Sequence, residues 1–424
     1  MVVEGLMKLK KPIETVPVEE ASYIVFTDGS KYYAKNGSTG TIEYSDTDAS
    51  KVIQYALDKV NARGGGKVFI KSGVYVLTSS LRPGSNTIIA GEGSGTILKL
   101  GDGTSIVAIY IENASNVVID SIAFDGNSAN VGDTQNNTAC LGIRSMGNSS
   151  NILVVNCFFY NFKSHAIRPD ENTVGFHIRN SVFYNNSFWD IAFCMGDPTA
   201  PDGADYRFPG SVVGCFFRDT TGVELAYTHD VLVAGNYFRN AGIFLDKSKR
   251  AVIIGNTFID DRYGSFTIQV SSDSANNLIV GNRITGTQGT GIRLDCPYNI
   301  VAYNYISRGW RGIMEVSPAD YNYIFGNYVA GHSIANIVKV GANTIVKDNI
   351  GYPTVSSGVA TIPADSTRVT VSHGLATTPR KVLITPLAQP PGKLWVENIT
   401  STSFDIVTDT TPATDLNVAW YAEV

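Results

Sequence analysis

Four carboxylates recur near the ends of short alternating segments. GVELAY, GIFLDK, GIRLDC and GIMEV carry Glu224, Asp246, Asp295 and Glu315, and a fifth segment, SFTIQV, carries Gln269. In an extended segment successive side chains point to opposite faces, so Val223/Leu225, Ile243/Leu245 and Ile292/Leu294 go one way and their neighbours the other. An asparagine follows each segment and sets the count. Counting back from it puts Glu224, Phe244, Arg293 and Glu315 in one outward column, and Asp246, Asp295, Ser317 and Lys339 in the next. The spacing around residues 265–271 leaves either Gln269 or Ser271 opposite Asp246.

Acids projecting from one surface suit cleavage of a glycosidic bond. One carboxylic acid protonates the leaving oxygen while a second activates water or attacks the sugar. Asp246 and Asp295 lie two repeat units apart, about 9–10 Å between stacked strands, which suits an inverting pair. Glu224 and Asp246 lie on adjacent units, nearer a retaining spacing. The rival chemistry is β-elimination from a uronate, with Arg293 as base and Asp246, Asp295 and Glu315 as oxygen ligands for Ca²⁺. The same charges would equally form an Arg–carboxylate ladder of modest net value, with Arg293 pairing with Glu315 or Asp295. Upstream segments place His165, Arg168 and Asp170, then Trp189, Asp190 and Asp197, on the same surface. With Gln269 and Trp310 these complete the expected binding set. Trp189 and Trp310 offer rings for stacking on sugars, or for packing a loop. The insertion at 194–210 would wall the groove.

The surface depends on a repeat. Asn236, Asn256, Asn282, Asn304, Asn327 and Asn349 end phrases such as LVAGNYF and IFGNYV, at steps of 20, 26, 22, 23 and 22 residues. Earlier copies put Ile122, Cys157, Ser181 and Cys215 in that column, and Phe124, Phe159, Phe183, Phe217, Phe238 and Phe258 two residues on. Such a period, in Val-, Ile- and Phe-rich phrases without a leucine scaffold, predicts a stacked solenoid of short parallel strands. The asparagines should bond to one another inside a turn and do no chemistry.

The chain has 424 residues, 43% apolar and 17% charged, with 41 glycines and a net charge of −5. That balance argues against a nucleic-acid partner. No apolar run approaches the roughly 18 residues of a membrane span. The opening MVVEGLMKLKKPIETVP lacks the apolar core of a signal peptide. The five cysteines are odd in number and show no metal spacing, so no metal site is expected from them.

Residues 1–40 read as a lead-in with a hairpin around Asp28-Gly29. SDTDASKVIQYAL, GGGKVFIKSGVYVL and IAGEGSGTILKL follow, an Asp-capped amphipathic helix and two strand phrases. This order resembles the opening of the pectate-lyase-like β-helix superfamily. The resemblance implies an all-β fold over 41–352: a right-handed single-stranded parallel β-helix capped by the helix. It also implies action on, or binding of, polysaccharide. No complete lyase or polygalacturonase motif set is present; Asp260-Asp261 is the single double Asp and follows the ladder. No catalytic residue is therefore carried over.

The repeat stops after Tyr352, and residues 353–424 read as about six alternating strands, a small β-sandwich. Val371-Ser372-His373-Gly374-Leu375, Val396 to Phe404 with Ile406, and Trp420-Tyr421-Ala422 resemble H-type lectin modules and C-terminal domains of phage tail proteins. That resemblance implies a homotrimer, recognition of cell-surface glycan, and an extracellular or virion-surface place. The expected function is thus a polysaccharide-active protein, first a glycoside hydrolase. A glycan-binding adhesin or tailspike is the alternative, and a Ca-assisted lyase the second.

Overall fold

The computed structural model describes residues 21–132, 139–194, 209–259, 266–271 and 273–424. The chain is nearly all β, with a parallel β-solenoid of about 11 turns and small antiparallel sheets at its C-terminal end. It divides into two compact units, residues 1–182 and 183–424.

In the first unit, Tyr23–Thr27 and Tyr32–Asn36 pair as the hairpin expected around Asp28-Gly29. The helix Ala49–Asn61 follows. Asp48 is its N-cap and accepts from the Ser50 amide at 2.9 Å. Its buried stripe is Val52, Ile53, Ala56, Leu57 and Val60, the apolar face visible in the sequence. Parallel strands then stack coil on coil. Thr87–Leu100, Ser115–Asp125, Ser150–Val155 and Val174–Arg179 form one series. Val107–Glu112, Leu141–Met146 and Ile167–Pro169 form another.

The second unit has three parallel sheets, and each coil visits them in turn. Sheet A comprises Gly210–Val213, Val231–Ala234, Val252–Ile254, Leu278–Val280, Ile300–Ala302, Tyr323–Phe325 and Ile345–Lys347. Sheet B comprises Phe216–Arg218, Tyr237–Arg239, Thr257–Ile259, Arg283–Thr285 and the first halves of Tyr305–Glu315 and Tyr328–Val338. Sheet C comprises Ile191–Phe193, Gly222–Ala226, Gly242–Asp246, Phe266–Ser271, Thr290–Leu294 and the second half of Tyr305–Glu315.

The corner between sheets A and B takes two residues. The first is left-handed, as at Gly235 (φ 61°) and Gly255 (φ 64°). Glycine adopts that conformation without steric cost, which explains the recurring Gly-Asn pairs. The second residue is the ladder asparagine. Asn256 Oδ1 accepts from both the backbone N and Nδ2 of Asn236 at 3.0 Å. Asn256 Nδ2 in turn donates to Asn282 Oδ1 at 3.0 Å and to the Val233 carbonyl at 2.9 Å. The pattern continues through Asn304 and Asn327 to Asn349. Each buried amide is satisfied by its neighbours, the condition for burying a polar column. Beside it Phe183, Phe217, Phe238 and Phe258 stack at centroid spacings of 4.9, 4.6 and 4.6 Å. Ile284, Ile306 and Val329 continue that column.

A second ladder, not foreseen in the sequence, lies at the corner between sheets C and A. Asn277 Nδ2 donates to Asn299 Oδ1 at 3.0 Å, and the Asn299 amide donates to Asn322 Oδ1 at 2.8 Å.

The C-terminal strands form two three-stranded antiparallel sheets. Val355–Ile362 and Lys381–Pro386 flank Leu416–Glu423, and Arg368–Ser372 and Leu394–Glu397 flank Ser403–Thr408. Ile362, Val371, Phe404, Ile406, Leu416 and Val418 are buried in one cluster. His373 is buried there; its Nδ1 accepts from the Leu375 amide at 3.0 Å, and its Nε2 donates to the Thr400 carbonyl at 3.2 Å. The His-Gly-Leu phrase is therefore a clip between two loops.

Candidate functional site

Sheet C carries the candidate site on its outward face. The register places Glu224, Phe244, Gln269, Arg293 and Met314 in one column. Ile243, Ile268, Ile292 and Ile313 point inward beside it and are buried. In the next outward column Asp246 pairs with Ser271. Asp295 follows one coil later, its amide donating to the Val270 carbonyl at 2.8 Å. The open choice is thereby decided: Ser271 faces Asp246, and Gln269 sits between Phe244 and Arg293.

Asp295 is held from two sides. Arg293 Nε donates to its Oδ1 at 2.5 Å, and Gln269 Nε2 donates to its Oδ2 at 3.2 Å. The Arg293 guanidinium also lies over the Phe266 ring, 4.4 Å from the centroid. A planar cation between a carboxylate and an aromatic face is restrained in orientation. Asp246 differs. It is half-buried, and among the described residues its carboxylate accepts no hydrogen bond and joins no ion pair. Trp189 stacks on Phe244 at 5.9 Å with 12° between the planes, a broad apolar platform beside the acids.

Three expected site residues are not on this surface. Glu315 is register-paired with Leu294 in the inward column and is 1% exposed. Its oxygens accept from Asn322 Nδ2, the Thr344 hydroxyl and the amides of Val340 and Gly341, at 2.6 to 3.0 Å. It is a structural acid that closes the last coils, and Met314 takes the outward place. Asp190 is likewise fully buried. It accepts from Asn186 Nδ2 at 2.6 Å, the Thr220 hydroxyl at 2.7 Å and the Gly222 amide at 3.0 Å. Burial outweighs those bonds and pushes its carboxyl up to about 7. His165, in the first unit, is 2% exposed and sits beside the Ser164 hydroxyl at 3.4 Å.

Arg168, in the first unit, is outward. It shares Asp170 with Arg144, a residue the sequence reading overlooked, at 2.7 and 2.5 Å. Tyr110, Arg144 and Arg168 form one column there. Arg144 carries the same alternation as Arg168 within LGIRSM, a signal that was available in the sequence. Trp310 is exposed where its strand passes from sheet B to sheet C, and no ring contact joins it to the Trp189–Phe244 pair. Asp197, Asp260-Asp261 and all but the ends of the 194–210 insertion lie outside the described residues.

Residues 205–352 match the model of a family described as periplasmic copper-binding protein, NosD. Among curated proteins, the mannuronan C5-epimerase AlgE6 of Azotobacter vinelandii is 29% identical over 157 residues, 33% of this chain and 18% of that protein. Alginate lyase 7 of the same organism is 30% identical over 165 residues, 35% of this chain and 19% of that protein. The chain therefore spans about a fifth of the length of these two relatives. Among solved structures, the A-module of Azotobacter vinelandii AlgE6 aligns with a TM-score of 0.54 at 19% identity, over 72% of this chain and 96% of the module. The Dettilon tailspike protein aligns with a TM-score of 0.52 at 12% identity, over 89% of this chain and 91% of the tailspike. The chain is a parallel β-helix. As in the sequence expectation, its coils are set by the Asn and Phe columns and its helix lies at the start of the first unit.

Two metals, Ca²⁺ and copper, would need convergent donors on the β-helix. For Ca²⁺, the expected ligand set loses Glu315 to the interior and has Asp295 engaged by Arg293 and Gln269. For copper, no three His, Cys, Asp or Glu side chains converge among the described residues. Among the described residues the donors assemble neither site.

Proposed function

We propose that this protein is a polysaccharide-active enzyme that binds a glycan along the outward face of sheet C and hydrolyses a glycosidic bond there. The carrying observation is the unlike state of two acids on one surface. Asp295 is oriented by Arg293 and Gln269, while Asp246 has no bonding partner among the described residues. In this reading Asp246 is the acid that delivers a proton to the leaving oxygen. Asp295 is the oriented acceptor for the attacking water. Two strand spacings put their backbones about 9–10 Å apart, room for a water and thus for inversion. The Trp189–Phe244 stack offers an apolar platform to the C–H face of a sugar ring.

The test is incubation with a panel of neutral and acidic polysaccharides. New reducing ends from the native protein, absent with Asp246→Asn and Asp295→Asn, support hydrolysis. No reducing ends from any polymer would overturn it.

A second reading is favoured by the names of the sequence relatives, C5-epimerases and an alginate lyase. Both activities begin by removing the C5 proton of a uronate. Arg293 would then engage the uronate carboxylate, and an unsaturated product or C5 deuterium uptake without chain scission would replace new reducing ends. The tailspike likeness supports an adhesin that binds without cleaving, placed outside the cell. For that protein the C-terminal sheets would serve as a lectin-like or trimerising module, which mass measurement in solution tests.

A further inference from the structure

Sheet B presents a different chemistry from sheet C. Its outward residues form two columns. Phe216, Tyr237, Thr257, Arg283, Tyr305 and Tyr328 make the first, and Arg218, Arg239, Ile259, Thr285, Ser307 and Ala330 the second. None is acidic. In a chain of net charge −5, the outward columns of sheet B thus carry arginine and no acid.

The arginines are available. Arg239 and Arg283 are exposed, and neither makes an ion pair among the described residues. Arg283 lies over the Tyr305 ring at 5.3 Å. Arg218 keeps a loose contact with Asp219, at 3.7 Å, with half its side chain in solvent. The rings are prearranged. Phe216 and Tyr237 stack at 5.1 Å, and Tyr305 and Tyr328 at 4.6 Å, each pair within 6° of parallel. An unpaired arginine costs nothing at a solvated surface, but a row of arginines and parallel rings repeats at the strand spacing, about 4.8 Å. A guanidinium fork bonds a carboxylate with two parallel hydrogen bonds, and flat rings take the apolar faces of sugars.

We propose that the outward face of sheet B is a second carbohydrate surface, one that takes an acidic, carboxylated polysaccharide and does no chemistry on it. The arginines read the uronate charge, and the tyrosine and phenylalanine stacks carry the rings. The surface would hold a long anionic polymer on the protein independently of what happens at Asp246, so this inference does not require the hydrolase reading.

The experiment is native gel electrophoresis of the full chain through polygalacturonate and, in parallel, through its fully methyl-esterified form, which keeps the backbone and removes the charge. Native protein should be retarded by the acid polymer and much less by the ester, and added salt should release it. The double variant Arg239→Glu/Arg283→Glu should lose at least about tenfold in apparent affinity. Both arginines lie on sheet B and every sheet C side chain stays in place, so that loss assigns the binding to this surface rather than to the sheet C site. Arg239→Gln/Arg283→Gln, with an unchanged melting temperature, should show the same loss if charge reversal unsettles the fold. Native retardation of both double variants, equal retardation by acid and ester, or no retardation by either polymer would overturn the proposal.

Discussion

Arg293, on the strand Thr290–Leu294, and Asp295, just past its end, close on each other, Nε to Oδ1, at 2.5 Å. Both project from sheet C, so the guanidinium is a clamp on the acid. Arg293→Met should leave the melting temperature within about 1 °C and lower kcat at least about tenfold, because a partly exposed pair adds little stability but fixes orientation. Steady-state kinetics on the best polysaccharide checks it, and an unchanged kcat would remove Asp295 from the mechanism.

Asp246→Asn keeps size and hydrogen-bonding capacity but carries no proton for transfer. It should bind glycan with native affinity and lose about a hundredfold or more in turnover. A turnover loss matched by an equal rise in KM, with kcat unchanged, would instead make Asp246 a binding residue.

Glu315 gives the opposite expectation. Glu315→Gln puts an amide that must donate among four donors, from Asn322, Thr344, Val340 and Gly341. A cost of about 2–4 kcal/mol is expected, with specific activity of the folded fraction unchanged. Denaturant titration beside activity separates the two effects.

Asn282→Ala removes a rung. It strands the backbone amide of Asn256 and takes one bond each from Asn256 Nδ2 and Asn304 Oδ1, which keep the Val233 carbonyl and the residue 282 amide, while leaving sheet C untouched. A loss of about 2–4 kcal/mol should follow, since each buried unsatisfied group costs about 1–3 kcal/mol and neighbours relax. Thermal unfolding of the variant measures it.

Asp190 makes stability depend on pH. Its folded value, about 7, stands above the ordinary carboxylate value of 3.8 because it is buried. The folded state therefore binds a proton the unfolded state releases. The stability it contributes is full below the unfolded value and is lost as pH rises through about 7. Melting of the native protein relative to Asp190→Asn should fall between about pH 4 and about pH 7 and level off above that; a pH-independent difference would show that Asp190 stays ionised in the fold.

The sequence alone determined the ladder and what hangs on it. Asn at each A–B corner with a left-handed residue before it, the stacked phenylalanines, the Asp48 cap and the Asp28-Gly29 hairpin are local patterns, and each satisfies its own backbone or its nearest coil. The column holding Glu224, Phe244 and Arg293 followed from that register. Tertiary structure decided the rest, because the corner between sheets C and A varies in length. Twelve positions separate Phe244 from Asn256, but 13 separate Met314 from Asn327. In a strand a one-residue slip exchanges the two faces, so counting back from Asn327 turned Glu315 outward when it lies inside. Burial of Asp190 and His165 was invisible for a related reason: they sit beside short strands at corners, where alternation has too few residues to read. Whether an acid there meets water or three donors depends on neighbouring coils some 30 positions away, such as Thr220 and Gly222 for Asp190. The Arg293–Gln269 grip on Asp295, and the unbonded state of Asp246, exist only once those coils are stacked.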